Sequence, residues 1–301
     1  MNRVLISGAS GLVGNALMAA LEAHGIQVVH LVRRRAQNAS EILWNPLAEP
    51  AGAGLAPNAV SGFDAVVHLG GETIAGRWTA AKKTAIRGSR VLGTRNLATA
   101  LARAESKPKV FVCASAIGFY GDRGEEVLTE ESASGQGFLP ELCREWEEAS
   151  RIAAAAGIRT VNLRTGLVLS AKGGALGKML TPFKLGLGGR IGSGKQWWSW
   201  IQIDDMVSGI QQAIQTQSLT GPVNLVAPNA ERNAEFTKVL ASVLGRPAIF
   251  PVPGLALRLA FGKTAAEGLF LASQHVKPRK LEASGYRFQF SDLRAALESL
   301  V

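Results

Sequence analysis

Gly8, Gly11 and Gly14 follow the apolar run Val4–Ile6 and open a helical pattern that begins at Leu12. Glycines at this spacing, between a strand and a helix, suit one task. The first permits a tight turn, the second lets the backbone approach a pyrophosphate, and the third lets helix pack on strand. The helix N-terminus then turns free N–H groups and a positive dipole end toward the phosphates. A three-glycine pattern alone says little, but this strand–loop–helix context points to a dinucleotide. The end of the next apolar run selects which one. Dinucleotide sites that take NAD usually place an acid there for the ribose hydroxyls. Here no Asp or Glu stands between Glu22 and Glu41, and Arg33-Arg34-Arg35 fills the gap. Guanidinium groups grip a 2′-phosphate bidentately. The expected cofactor is therefore NADP(H), with Arg33 and Arg34 reading the phosphate; the alternative is a solvated basic loop.

These residues need a scaffold. Short β-branched runs at Val4–Ser7, Gln27–Val32, Ala65–Leu69, Val110–Ala114 and Arg159–Arg164 alternate with helical patterns at Leu12–Ala23, Thr79–Arg103 and Leu139–Ala156. Strict alternation implies right-handed βαβ crossovers and a parallel sheet. After Ser170 the texture changes to a glycine-rich stretch and then Trp197, Trp198 and Trp200. Asp204–Thr216 reads as a helix capped by Asp204 or Asp205, Val223–Val226 as a strand returning to the sheet, Asn233–Leu244 as a helix and Arg287–Phe290 as strand-like. The expected fold is an α/β, Rossmann-type doubly wound parallel sheet over residues 1–170, with 204–227 packing back on it. Residues 171–301 form a smaller C-terminal α+β lobe on the substrate side.

Composition bounds the function. The chain of 301 residues is 47% hydrophobic, enough for a substantial core. No apolar run reaches the roughly 18–20 residues of a membrane span, and the N-terminus lacks a signal-peptide layout. Two cysteines, Cys113 and Cys143, make neither a disulfide framework nor a metal knuckle, so a reducing cytoplasmic location is expected. The formal charge is +10, from 33 basic and 23 acidic residues. The basic residues are scattered and carry no nucleic-acid signature, so neither nucleic acid nor membrane is expected as a partner. His24, His30, His68 and His275 are too dispersed in sequence to argue a metal site. A monomer or homodimer acting on a small molecule is expected.

The Gly8-x-x-Gly11-x-x-Gly14 spacing resembles that of extended short-chain dehydrogenases/reductases, the class that includes nucleotide-sugar epimerases. His68-Leu69-Gly70-Gly71-Glu72 looks like the strand-to-loop segment that this class lays beside its cofactor. Three stretches narrow the likeness: Gly76-Arg77-Trp78-Thr79, Ser115-Ala116-Ile117-Gly118-Phe119-Tyr120-Gly121 and the glycine-rich run from Gly186 to Gln196. With Trp200-Ile201-x-Ile203-Asp204-Asp205 and the ending Val276–Leu300, they resemble an atypical branch. Its members are labelled epimerase family proteins, sometimes cell-division inhibitor-like, and carry their own C-terminal domain. The resemblance covers essentially the whole chain and implies an NADP-type Rossmann fold without supplying a substrate. The expected cofactor-binding set is Gly8, Ser10, Gly11, Leu12, Val13, Gly14, Arg33, Arg34, Leu69, Gly70, Gly71, Arg90 and Val168, with no metal.

Ordinary members of the class use a Ser, a Tyr and a Lys, the last two four residues apart on one helix face. Ser115 matches the serine. The Tyr–Lys pair is absent by count: four residues after Tyr120 stands Gly124, and four after Tyr286 stands Phe290. The corresponding helix places Cys143 in the tyrosine slot and Glu147 in the lysine slot. A glutamate would raise a neighbour's pKa where a lysine lowers it. The expected catalytic groups are Ser115, orienting a substrate oxygen, and Glu72, handling a proton; Glu72 reads otherwise as a loop carboxylate paired with Arg77. Tyr120 reads as packing, Cys143 as a buried inert thiol and Trp146 as core or pocket wall. Arg190, Lys195, Gln196, Trp197 and Trp198 either grip an anionic or aromatic substrate or brace a glycine-rich loop. Three functions stay open: an NADP(H)-dependent oxidoreductase with altered acid–base residues, a nucleotide-sugar epimerase or dehydratase, and a non-catalytic NADP(H)-binding redox sensor or regulator.

Overall fold

The computed structural model describes residues 1–56 and 58–301. Among these residues seven strands form the main sheet: β1 (Arg3–Ser7), β2 (Gln27–Val32), β3 (Glu41–Leu43), β4 (Ala65–His68), β5 (Val110–Ala116), β6 (Arg159–Thr165) and β7 (Gly221–Leu225). Their spatial order is β7-β6-β5-β4-β1-β2-β3, and every neighbouring pair is parallel. The order reverses between β1 and β4, so a crevice opens beyond their carboxyl ends, where α/β folds bind ligands.

Among the described residues seven α-helices have eight or more residues: α1 (Leu12–Ala23), α2 (Ala80–Arg103), α3 (Phe138–Ala155), α4 (Gly174–Lys184), α5 (Ile203–Gln215), α6 (Asn233–Leu244) and α7 (Gly254–Phe261). α1 and α5 bury Leu17, Leu21, Ile210 and Ile214 against Val4, Val67, Val112 and Val161 on one face of the sheet. α2 and α3 bury Leu97, Leu101 and Trp146 against Leu5, Val66 and Phe111 on the other. The central strands are apolar on both faces because both are covered. A second core, with Leu176, Trp200, Phe236, Leu240 and Leu297, holds the C-terminal lobe together.

Two local readings change. The side chain of Gln202, not an aspartate, caps α5 by accepting from the Asp204 N–H. Asp205 is buried instead, and accepts from the Tyr286 hydroxyl (2.8 Å), the Gln289 N–H (2.9 Å) and the Phe290 N–H (2.8 Å). Those bonds explain why Arg287–Phe290 is not a strand. Its backbone donors are spent on one carboxylate rather than on a ladder. The C-terminal segment is stitched in elsewhere as well. His275–Val276 pairs in parallel with Val127–Leu128. Gln274 Nε2 donates to the Ile117 and Gly121 carbonyls, and Lys277 Nζ to the Pro228 carbonyl.

Candidate active site

The crevice beyond β1 and β4 has a volume of about 620 Å³ and is floored by the glycine loop. Gly8 holds φ at +75°, and a Cβ there would lie 2.7 Å from the Gly70 nitrogen. Only glycine fits where two loops cross so closely. A Cβ on Gly14 would drive into the Gly8 carbonyl, so Gly14 sets the contact of α1 with its strand. Gly11 differs: a Cβ there would meet only the Gly8 oxygen, at 3.3 Å. Its outer side is open to the crevice. Gly11 is also the residue that opens α1, and no side chain caps that helix. The N–H groups of its first turn are therefore free to meet an anion. This open cradle under an uncapped helix fits a pyrophosphate.

The remaining expected cofactor residues divide. Ser10, Arg33, Arg34, Leu69, Gly70 and Gly71 line the crevice with Gly8 and Gly11. Leu12, Val13 and Gly14 form the first turn of α1, and Val13 packs on the core beneath. Arg90 reaches across from α2, donates to the Glu72 carbonyl (2.9 Å) and lies over the Trp146 ring. Val168 pairs in parallel with Ile201 and packs on the core. At the far end of the crevice Arg34 forms a fork with Glu41 (Nη1–Oε2 2.8 Å, Nη2–Oε1 2.5 Å). The pairing of β2 with β3 sets His30 opposite Glu41, which brings an acid to the arginine cluster that the local sequence lacks. The hydrogen bond from Arg34, then that from the Gln37 N–H, holds the Glu41 carboxyl below the usual range. Arg33 forms no ion pair among the described residues. His68, at the end of β4, bonds to Ser7 through Nδ1. Burial, then Arg90, pushes its pKa down to about 4, so the ring is neutral at ordinary pH.

A buried polar cluster is built from β5, β6 and α3, outside the lining of the crevice. In the sheet register Ser115 stands directly opposite Arg164, so both side chains leave the same face. α3 crosses that face and lowers Glu147 between them. Ser115 Oγ donates to Glu147 Oε1 (2.7 Å). Arg164 closes a two-point fork on the same carboxylate (Nε–Oε1 2.8 Å, Nη2–Oε2 2.9 Å). Arg164 Nη1 also donates to the Tyr120 hydroxyl (3.1 Å), and Tyr120 donates to Asn224 Oδ1 (2.7 Å). The guanidinium carbon lies 3.4 Å from the centre of the Phe119 ring. Glu130 ends the chain, accepting from the Asn224 N–H (3.0 Å). Glu147 is thus a mostly buried carboxylate whose charge an arginine from the sheet neutralises.

Burial pushes the thiol of Cys143 up to about 12 and leaves it protonated. Tyr120 supports Arg164, and burial raises its own pKa. Glu72 lies in the crevice lining apart from this network, and its partner is Lys82 (2.6 Å) rather than Arg77. The Lys82 bond keeps the Glu72 carboxyl below its usual range. Gln196 is buried and donates to the Ile191 and Phe270 carbonyls; Arg190 donates to the Gly192 and Ser193 carbonyls. Both brace the glycine-rich loop. Among the described residues no group of three His, Cys, Asp or Glu side chains could hold a metal ion.

The sequence reading missed Arg164 and Glu41 and did not give Glu147 a role. A signal existed for Arg164: a charge beside Val161 and Leu163 in a strand must find a partner when that strand is buried. Nothing local named that partner, because Glu147 lies 17 residues earlier on another element.

Residues 4–226 match the model of the NAD dependent epimerase/dehydratase family, and residues 252–300 match a domain of unknown function (DUF1731). An epimerase family protein of Mycobacterium tuberculosis is 42% identical over 98% of this chain and 96% of its own length. The crystal structure of human epimerase family protein SDR39U1 with NADPH superposes with a TM-score of 0.90 at 35% identity, covering 99% of this chain and 98% of that one. The crystal structure of a nucleoside-diphosphate sugar epimerase from Corynebacterium glutamicum has a TM-score of 0.80 at 39% identity, covering 98% of this chain and 57% of that one.

Proposed function

The chain belongs to the NAD dependent epimerase/dehydratase family, in the epimerase family protein branch, and from that premise we propose that it is an NADP(H)-dependent oxidoreductase acting on a small hydroxyl or carbonyl compound. Bound in the crevice, NADP(H) would supply or accept the hydride. Gly8, Gly11 and the first turn of α1 would hold its pyrophosphate. Arg33 and Arg34 would hold its 2′-phosphate, the latter by sharing its fork with Glu41. The NADPH in the human relative supports that choice.

The observation that carries the reaction is the direction of one hydrogen bond. Ser115 donates its hydrogen bond to Glu147, so the lone pairs of its oxygen remain for an incoming donor. A group so arranged accepts a hydrogen bond from a substrate O–H. In oxidation the substrate hydroxyl passes its proton to Ser115 Oγ as the Ser115 proton moves to Glu147 Oε1, and the carbon gives up its hydride. Reduction runs the same path backward. Arg164 stays protonated throughout and fixes the carboxylate with two bonds, and Tyr120 and Asn224 fix Arg164. Glu72, ionised against Lys82, contributes negative charge in the crevice. The test is single-turnover hydride transfer, followed by NADPH absorbance, with substrates found by screening hydroxyl and carbonyl compounds. Ser115→Ala and Glu147→Gln should each slow the step by about 10²–10⁴-fold, with unchanged NADPH affinity, and Glu72→Gln should slow it less. Full rates in both of the first two variants would remove the relay.

A further inference from the structure

We propose that a basic, apolar face of the C-terminal lobe docks on an anionic lipid surface. No Asp or Glu occurs between Glu148 and Asp204, or between Glu235 and Glu267. Over 171–203 the chain carries Lys172, Lys178, Lys184, Arg190 and Lys195; over 236–266 it carries Lys238, Arg246, Arg258 and Lys263.

The fold lays these two segments side by side. The Phe250 N–H donates to the Gly188 carbonyl, and the Val252 N–H to the Arg190 carbonyl. Gly186 abuts Pro247, and Gly189 lies under the Phe250 carbonyl. Leu185 and Leu187 flank Gly186, Ile249 and Phe250 follow Pro247, and Leu255 and Leu259 lie one turn apart on α7. All six are 52–72% exposed. Leu257, on the opposite side of α7, is buried and anchors the helix. Arg258 has an acidic neighbour, Glu267 at 3.5 Å. Among the described residues, Lys184, Arg246 and Lys263 have no carboxylate within ion-pair distance.

Charge complementarity names the occupant. Protruding leucines and phenylalanine beside unpaired cations, on a short helix and its adjoining loops, have the make-up of an interfacial membrane anchor. Headgroup phosphates would answer the cations while the apolar tips enter the acyl boundary. The lack of a membrane-spanning run gives no guidance here, because a helix lying in the interface plane needs none. The inference does not rest on the oxidoreductase reading.

The test is co-sedimentation of the full chain with vesicles of phosphatidylcholine alone and of phosphatidylcholine with phosphatidylglycerol. Binding is expected only to the anionic vesicles and should fall as salt screens the cations. Lys184→Gln with Arg246→Gln should weaken it roughly 25-fold, from about fivefold per cation. Leu255→Ser with Leu259→Ser should weaken it at least tenfold. Both variants should keep the thermal midpoint and NADPH affinity of the parent, since every altered side chain is exposed. No binding to either vesicle, equal binding to both, or binding unchanged in the variants would overturn the proposal. So would a dimer that the leucine changes convert to monomer, since a second copy would then cover the face.

Discussion

Replacing Glu147 by glutamine keeps its shape and removes its charge. The Arg164 side chain is 4% exposed and that of Glu147 is 13% exposed, so the guanidinium left behind has almost no access to water. Breaking one partner of a buried ion pair typically costs about 3–5 kcal/mol, mostly from stranding the other charge. At roughly 2–4 °C per kcal/mol for a chain of this order of size, the melting temperature should fall by about 10 °C. The neighbouring bond to Tyr120 and the contact with the Phe119 ring recover only part of the loss, because neither group carries a negative charge. Arg164→Met alone strands the carboxylate and should cost as much. The double variant strands nothing, so it should be more stable than the sum of the single losses predicts, with a coupling of at least 1–2 kcal/mol on the scale usual for residues in contact. Calorimetry or urea unfolding of the four proteins completes the cycle. Single losses below about 1 kcal/mol, the scale of a solvent-exposed pair, or losses that simply add, would refute the view of a desolvated charge pair. A stability loss with an undiminished hydride-transfer rate would make the pair a strut and take Glu147 out of the chemistry.

Gly11→Val should leave the thermal midpoint near that of the parent and abolish NADPH binding in a fluorescence titration, whereas Gly14→Ala should unfold the protein because its Cβ meets the Gly8 carbonyl. The Arg33→Ala/Arg34→Ala double variant should weaken NADPH by at least tenfold and leave NADH nearly unchanged, while Glu41→Gln should tighten NADPH by releasing Arg34; equal loss for both cofactors would refute the assignment of the phosphate. His68 has a folded pKa of about 4 against 6.5 for the free ring, so the unfolded chain binds a proton between those values that the folded chain does not. Stability should therefore be full above pH 6.5 and fall by about 3 kcal/mol toward pH 4. Urea unfolding across that range should show a smaller fall in His68→Gln, and identical slopes would refute the burial of the neutral ring.

The glycine loop and the alternation around it were legible because both are local: turn, helix start and strand period lie within a few residues of one another. The same holds for Ser115, which ends an apolar strand. Arg34 shows where local reading stops. Its neighbours in sequence are basic, yet its partner Glu41 arrives through the pairing of β2 with β3. Glu147 illustrates a second limit. In the lysine slot it reads as the loss of a function, because the compensating Arg164 becomes visible only once Ser115 and Arg164 fall into register. Asp205 illustrates a third: an aspartate at a helix start reads as a cap, and only the folded tail shows that its carboxylate serves three donors from Tyr286 to Phe290.

That carboxylate also bears on how the chain can be cut. The two family models end and begin at 226 and 252, which invites division of the gene between them. A fragment stopping at 251 would keep Asp205 in place and lose all three of its donors. It would also strip Gln274 from the Ile117 and Gly121 carbonyls and the parallel partner from Val127–Leu128. Two recognisable units of ancestry therefore share one hydrogen-bonded framework. The tail cannot be exchanged among relatives as a cassette unless the sheet-side residues that receive it travel with it, and chimaeras joined at the sequence boundary should be insoluble where those joined outside both partners are not.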